Sequence, residues 1–229
     1  QDQSLDTPAN IAEDSANNLF IVDLGSNCIK KFSPEGHYLA TFGCSGEDPQ
    51  QLTNPRDLAV DAGNNIYIAD SGNNRILKWD ETGQCRLVMG YQADQTEGYL
   101  EPGEEPGQLD EPLSVCVDEQ GFIFVADTNN HRIQKFTPAG QFESSFGQEG
   151  EIAGQFSYTA NIRLDNRNNI YVADCNGERI QKFDPTGCFI YQIFLPPDSG
   201  ALEDFDVDPA GRIIVALRKA NLVMGIEVQ

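Results

Sequence analysis

Asp127, His131 and Arg132 stand close together in "DTNNHRIQKF", residues 127 to 136. A carboxylate, an imidazole and a guanidinium at that spacing could shuttle a proton, ligate a metal or grip an anion. A reaction centre should occur once in a chain, and this unit recurs. "DSGNNRILKW" fills 70 to 79, "DCNGERIQKF" fills 174 to 183, and a weaker relative, "DLGSNCIKKF", fills 23 to 32. A repeated Asp followed by Asn or Gly reads as an Asx-type turn, and an Asp127 to Arg132 pair across it accounts for the charges. His131 is the variable member, standing where Asn74 and Glu178 stand in the sister copies.

Other chemistry is sparse. The six cysteines, at 28, 44, 85, 116, 175 and 188, contain no C-x-x-C and so lack metal-site spacing. Cys116 replaces Ala12 and Ala59 of other units and reads as a small buried thiol, while the even count leaves disulfides open. "GCSG" at 43 to 46 is not a nucleophile elbow, and neither a phosphate-binding Gly-rich loop nor an EF-hand loop is present, so no cofactor is expected.

The recurring Asp residues, 23, 70, 127 and 174, are separated by 47, 57 and 47 residues. Each ends a short run of β-branched and aromatic residues, "LFIVD", "IYIAD", "FIFVAD" or "IYVAD", that suits a strand. A turn and another short strand lie upstream, the strand usually entered through proline, as at Pro8, Pro55 and Pro112. Downstream come the third strand, a turn such as "TPAG", and a more polar fourth strand. Four antiparallel strands per unit at this period make a propeller blade. A fifth unit, "EDFDVDPAGRIIVALRKANLVMGIEVQ", carries Leu217 where the aspartate belongs. The expectation is one all-β domain over 1 to 229, with repeats at about 5–47, 52–94, 109–151, 156–198 and 202–229. It has five blades, or is an incomplete six-bladed ring, with almost no helix.

"GQLDEPLSVCVDEQGFIFVADTNNHRIQKFTPAGQFESSFG" at 107 to 147, with "NNIYIADSGNNRILKWDETG" and "NNIYVADCNGERIQKFDPTG", resembles the NHL repeat family. The resemblance implies a disc of radial sheets around a central channel. Family members are typically six-bladed, whereas five units are countable here. The family includes RNA-binding and protein-binding domains of ubiquitin ligases, bacterial sensor domains and an amidating lyase, so the resemblance speaks for fold more than function. The lyase would need several imidazoles on the channel. His37, in a third-to-fourth-strand turn, and His131, in a second-to-third-strand turn, are expected on opposite faces.

A net charge of −21 disfavours nucleic acid, which demands a positive face. Arg75, Arg132, Arg179, Lys31, Lys78, Lys135 and Lys182 recur at fixed repeat positions, where turn contacts explain them. No segment is apolar enough to cross a membrane as a helix. The longest interval locates about ten extra residues within 91 to 112, an acidic, Pro- and Gly-rich stretch holding Asp94, Glu97, Glu101, Glu104, Glu105, Asp110 and Glu111. That loop should emerge on the face that carries His131. Candidate binding residues on this face are Asn73, Asn74, His131, Glu178, Glu104 and Glu105, facing a protein or peptide that is basic in character. In the channel, Ala12, Ala59, Cys116, Arg163 and Asp206 share one repeat position. An Arg163 to Asp206 pair is expected there, the functional alternative being a handle for a carboxylate ligand. Last, a missing outer strand in the fifth unit would leave an edge prone to self-association. The sequence therefore reads as a non-catalytic interaction module, with a calcium- or zinc-dependent channel hydrolase or lyase as the alternative.

Overall fold

Short alternating strands joined by tight turns build every unit in the same way. In the computed structural model, which describes residues 4–90, 101–175, 178–195, 202–208, 211–217 and 222–226, they form five antiparallel sheets. Blade 1 holds β1 (Pro8–Glu13), β2 (Leu19–Asp23), β3 (Cys28–Phe32) and β4 (Tyr38–Phe42). Blade 2 holds β5 (Pro55–Val60), β6 (Ile66–Asp70), β7 (Arg75–Trp79) and β8 (Cys85–Met89). Blade 3 holds β9 (Pro112–Val117), β10 (Ile123–Asp127), β11 (Arg132–Phe136) and β12 (Phe142–Phe146). Blade 4 holds β13 (Thr159–Leu164), β14 (Ile170–Asp174), β15 (Arg179–Phe183) and β16 (Phe189–Phe194). Blade 5 shows three strands among the described residues, β17 (Leu202–Val207), β18 (Ile213–Leu217) and β19 (Leu222–Ile226). The molecule is a five-bladed β-propeller, and its described helix is limited to two three-residue 3-10 turns, Leu24–Ser26 and Ser71–Asn73.

The first hairpin of each blade is held by an aspartate acting on its own backbone. Asp14 Oδ1 accepts the Ala16 and Asn18 amides, both at 2.9 Å, and Asp61 and Asp165 do the same in their turns. Residues 17, 64 and 168 take φ near +60°, and each is the asparagine that tolerates it. A lysine of the third strand completes the set: Lys31 to Asp14 at 3.0 Å and Lys182 to Asp165 at 3.2 Å. Burial raises the Asp14 pKa, but bonds from Asn18, Lys31 and the turn amides outweigh it and hold the carboxyl at about 2. A depressed carboxyl contributes stability above its unfolded pKa of about 4, and that stability is lost as pH falls through the folded value. Asp14→Asn should therefore lie below the native chain in urea stability at pH 6, the gap closing towards pH 2. A gap that stays constant with pH would remove Asp14 from the acid response.

Side chains alternate across each sheet, so every blade has one apolar face towards the blade before it and one towards the blade after. Continuous clusters fill the joins between blades 1 and 2, 2 and 3, 3 and 4, and 4 and 5. One series shows the pattern: Leu58, Val115, Ile162 and Phe205, at one position of the innermost strand, are all buried against the preceding blade. Their equivalent in blade 1, Ile11, is 56% exposed. On the opposite faces Ile29, Ile76, Ile133 and Ile180 are buried against the following blade, while Val223 of blade 5 is 69% exposed. The outward faces of blades 1 and 5 thus lack the cover that every internal join provides.

Candidate functional site

The aspartates that end the second strands form a repeated clasp. Asp70 Oδ1 accepts the Thr53 amide at 2.7 Å, Asp127 Oδ1 that of Asp110 at 2.8 Å, and Asp174 Oδ1 that of Ser157 at 3.1 Å. The Oδ2 atoms accept the Arg Nε donors, Arg75 and Arg132 at 2.7 Å and Arg179 at 3.0 Å. Each Arg then reaches back to carbonyls of the connection that precedes its blade: Arg75 to Glu47, Asp48 and Gln51, and Arg132 to Glu104, Glu105 and Gln108. Arg179 repeats this on Glu151, Ile152 and Gln155. In blade 1 the Arg position is Cys28, and Lys30, two residues on, supplies the charge to Asp23 at 2.8 Å. The Asp127 to Arg132 pair is structural, as its repetition implied.

The predicted face residues divide. Asn73 is buried and donates to Asp70 Oδ2 and the Gly46 carbonyl. Asn74 is buried at φ +53°, its Oδ1 accepting the Glu111 amide, just as Asn27 Oδ1 accepts the Asn54 amide. Asn73 therefore ties its turn to the connection before its own blade, and Asn74 ties blade 2 to the entry of blade 3, instead of offering surface. His131 occupies the same left-handed position at φ +52°, half-buried, with Nδ1 enclosed and without a hydrogen-bond partner. Glu178 is exposed at φ +48°. Glu104 and Glu105 are exposed in their side chains while Arg132 holds their carbonyls, so this stretch does share the face of the His131 turn. Gly103 bonds Leu109 as Gly46 bonds Leu52, which confines the extra residues to the stretch before it. Asp94 and Glu97 lie outside the described residues. His37 sits in the β3–β4 turn, at the other end of its blade from the β2–β3 turn.

In the channel, Ala12, Ala59, Cys116, Arg163 and Asp206 line one cavity of about 350 Å³, as their shared repeat position suggested. The expected pair is not the one formed. Arg163 Nη2 lies 3.0 Å from Asp204 and Nη1 lies 3.7 Å from Asp57, whereas Asp206 is exposed and bonds its neighbour's amide. The guanidinium sits between two carboxylates of one repeat position and balances both: its nearer contact goes to the half-exposed Asp204, while for Asp57, 1% exposed and with its pKa driven up by burial, the Arg163 charge is the largest opposing influence. Asp57 also accepts the Val115 amide and the Ser114 hydroxyl, and Ser114 Oγ in turn accepts the Ile162 amide. Asn161 donates to Asp204 at 3.0 Å. One polar repeat position, residues 57, 114, 161 and 204, thereby links blades 2 to 5. All six cysteines are free; Cys116 is buried and its thiol pushed well up by burial. Among the described residues no three His, Cys, Asp or Glu side chains cluster to hold a metal ion.

Sequence reasoning missed the mouth of the channel. Every first strand carries a β-bulge one residue after its start: Pro55 pairs with Asp70 and Asp57 with Ala69, which leaves Arg56 out of the ladder. Ala9, Leu113, Ala160 and Glu203 are skipped in the same way. A bulge re-aims the unpaired side chain. Ala9, Arg56, Leu113 and Ala160 accordingly line a recess of about 550 Å³, together with Asn10, Tyr158, Asn161 and Asp204. Leu24 and Cys175 of the second-to-third-strand turns lie on its wall, so it opens on the His131 face. The entering prolines were the available signal, since they disrupt a ladder at its first residue.

With this architecture in place, comparison with known proteins becomes informative. The NHL repeat model matches residues 52–79 and 109–136, which span the first three strands of blades 2 and 3. The chain carries NHL repeats. Among its relatives, protein brain tumor of Drosophila melanogaster is 52% identical over 46 residues, 20% of this chain and 4% of that protein. E3 ubiquitin-protein ligase TRIM71 of Xenopus tropicalis is 50% identical over 40 residues, 18% of this chain and 5% of that protein. The similarity thus spans about one NHL unit and a small fraction of each relative's length. In three dimensions the chain resembles a chain of the nidogen/laminin complex with a TM-score of 0.75 at 17% identity, covering 97% of this chain and 76% of that one. It resembles streptogramin B lyase with a TM-score of 0.70 at 20% identity, covering 98% and 67%. These likenesses concern the fold.

Proposed function

We propose that this NHL propeller is a non-catalytic interaction module that binds a protein or peptide on the face carrying the second-to-third-strand turns. One observation carries the reading: the recess at the channel mouth opens on that face and takes residues from all five blades, the concave, rigid setting that binding sites favour. The groups that could do acid–base chemistry in the repeated turns, Asp70, Asp127 and Asp174 with their arginines, are spent on the clasps. The same face carries the exposed carboxylates of Glu104, Glu105 and Glu178, which suit a basic partner.

The test is affinity capture with the whole chain, then kinetics of the captured partner against Glu104→Lys/Glu105→Lys. Both side chains are exposed, so folding is preserved. Association should slow by about tenfold at low salt and its salt dependence flatten, with little change in dissociation. Unchanged association would move the site off this face. Because Arg132 holds the 104 and 105 carbonyls, a loop truncation that keeps the clasp must stay within 92–99; it should leave the melting temperature unchanged and also slow association.

Among the described residues every Lys and Arg is in an ion pair except Arg56 and Arg167. A chain of net charge −21 with its cations so committed has little to offer phosphates, so binding to an RNA pool should be weaker than about micromolar at physiological salt. Submicromolar, salt-sensitive binding would overturn that expectation.

A further inference from the structure

Of the two unpaired cations among the described residues, Arg167 lies exposed in the turn between β13 and β14, on the face opposite the recess. Arg56 lies in the recess, lifted out of the β5 ladder by its bulge. The carboxylate on the recess wall, Asp204, is already taken by Arg163 Nη2 and Asn161 Nδ2. Burial raises the pKa of Tyr158, the Glu111 charge adds to this, and the positive charge of Arg56 opposes it, which places phenol and guanidinium within electrostatic reach of one another. Asn10 and Asn161 supply neutral polar groups, and Ala9, Leu24, Leu113, Ala160 and Leu202 supply short apolar walls.

We propose that this recess seats a carboxylate flanked by a short apolar side chain, as at a peptide C-terminus, with Arg56 as its anchor. The guanidinium fork matches the two oxygens of a carboxylate, and a Tyr hydroxyl or Asn amide beside it can donate a further hydrogen bond. A phosphate dianion would need more positive charge than one arginine gives in so acidic a chain. The bulges hold the backbone around the recess, while the side chains they present to it vary: Ala9, Arg56, Leu113 and Ala160. Constant geometry with variable chemistry is the division of labour expected of a recognition site. The carboxylate handle that the channel suggested belongs at the mouth, because Arg163 is neutralised by Asp57 and Asp204.

This inference rests on the recess face being the binding face, and the experiment separates the two. The whole chain is titrated with acetyl-Gly-Ala-Val as the free acid, with the same peptide as its amide, and with acetyl-Gly-Asp-Gly-amide, while the Nε–Hε signals of Arg56 and Arg167 are followed by NMR. The free acid should shift Arg56 saturably and leave Arg167 unmoved. The amide should bind at least tenfold more weakly, and Arg56→Gln should abolish the calorimetric binding of the free acid at an unchanged melting temperature. A response to the Asp peptide as strong as to the free acid would give the site to side-chain carboxylates and overturn the C-terminal assignment. Equal response to acid and amide, equal movement of Arg56 and Arg167, or no movement at all would overturn the carboxylate site altogether. If a captured protein partner binds the Arg56→Gln chain unchanged but associates about tenfold more slowly with the Glu104→Lys/Glu105→Lys chain, the face reading stands and the inference alone fails.

Discussion

Asp70→Ala should destabilise the chain by about 3–5 kcal/mol, read from urea denaturation at neutral pH. Asp70 is fully buried and its partner Arg75 is 1% exposed, so the substitution leaves a buried guanidinium with carbonyl contacts but no counter-charge. It also strips an acceptor from the Thr53 amide and from Asn73. Replacing both partners, Asp70→Asn with Arg75→Met, should cost less than the single Asp70→Ala change, because the stranded charge is gone. If the single substitution costs under about 1 kcal/mol, or the double costs as much as the sum of its parts, the clasp is not the buried ion pair described.

The second large effect contrasts two residues at one repeat position. Ile162→Ala should cost about 2–5 kcal/mol, since the side chain is fully enclosed between blades 3 and 4. Ile11→Ala should cost under about 1 kcal/mol, because the blade 1 face that holds it is open to solvent. We propose that the open faces favour the self-association expected from the fifth unit, whose described sheet ends at β19. Ile11→Asp with Val223→Asp should leave folding intact and shift scattering of concentrated samples towards the monomer. Equal costs at 11 and 162 would mean that another element covers blade 1 in solution. A strictly monomeric native chain at millimolar concentration would dismiss the self-association.

The repeated turns were legible because they are local. An Asp, its turn residues and its Arg lie within six positions, and strand length and alternation follow from "IYIAD" and its copies directly. Arg163 was misjudged for the opposite reason: its partners, Asp57 and Asp204, lie on two different blades, far from it in sequence, and no local pattern displays that placement. The burial of Asn73 and Asn74 was equally hidden, since a polar pair in a turn looks the same in sequence whether it faces solvent or ties two blades together. The bulges left no mark except prolines, and two of the five first strands, beginning at Thr159 and Leu202, lack even that. Nothing in the sequence around Arg56 therefore marks it out.

The clasps also set an order of assembly. Arg75, Arg132 and Arg179 each hold backbone carbonyls 24 to 28 residues earlier in the chain, so a blade fastens itself to the segment just synthesised. Contacts of such short range let the disc grow in register from the amino end, each finished blade serving as a template for its successor. Leu217 cannot close a clasp, because it offers no carboxylate. Blade 5 is then held to blade 4 by apolar packing and by the contacts of Asn161 and Arg163 with Asp204, without a clasp of its own, and loss of structure under stress should begin there and run backwards.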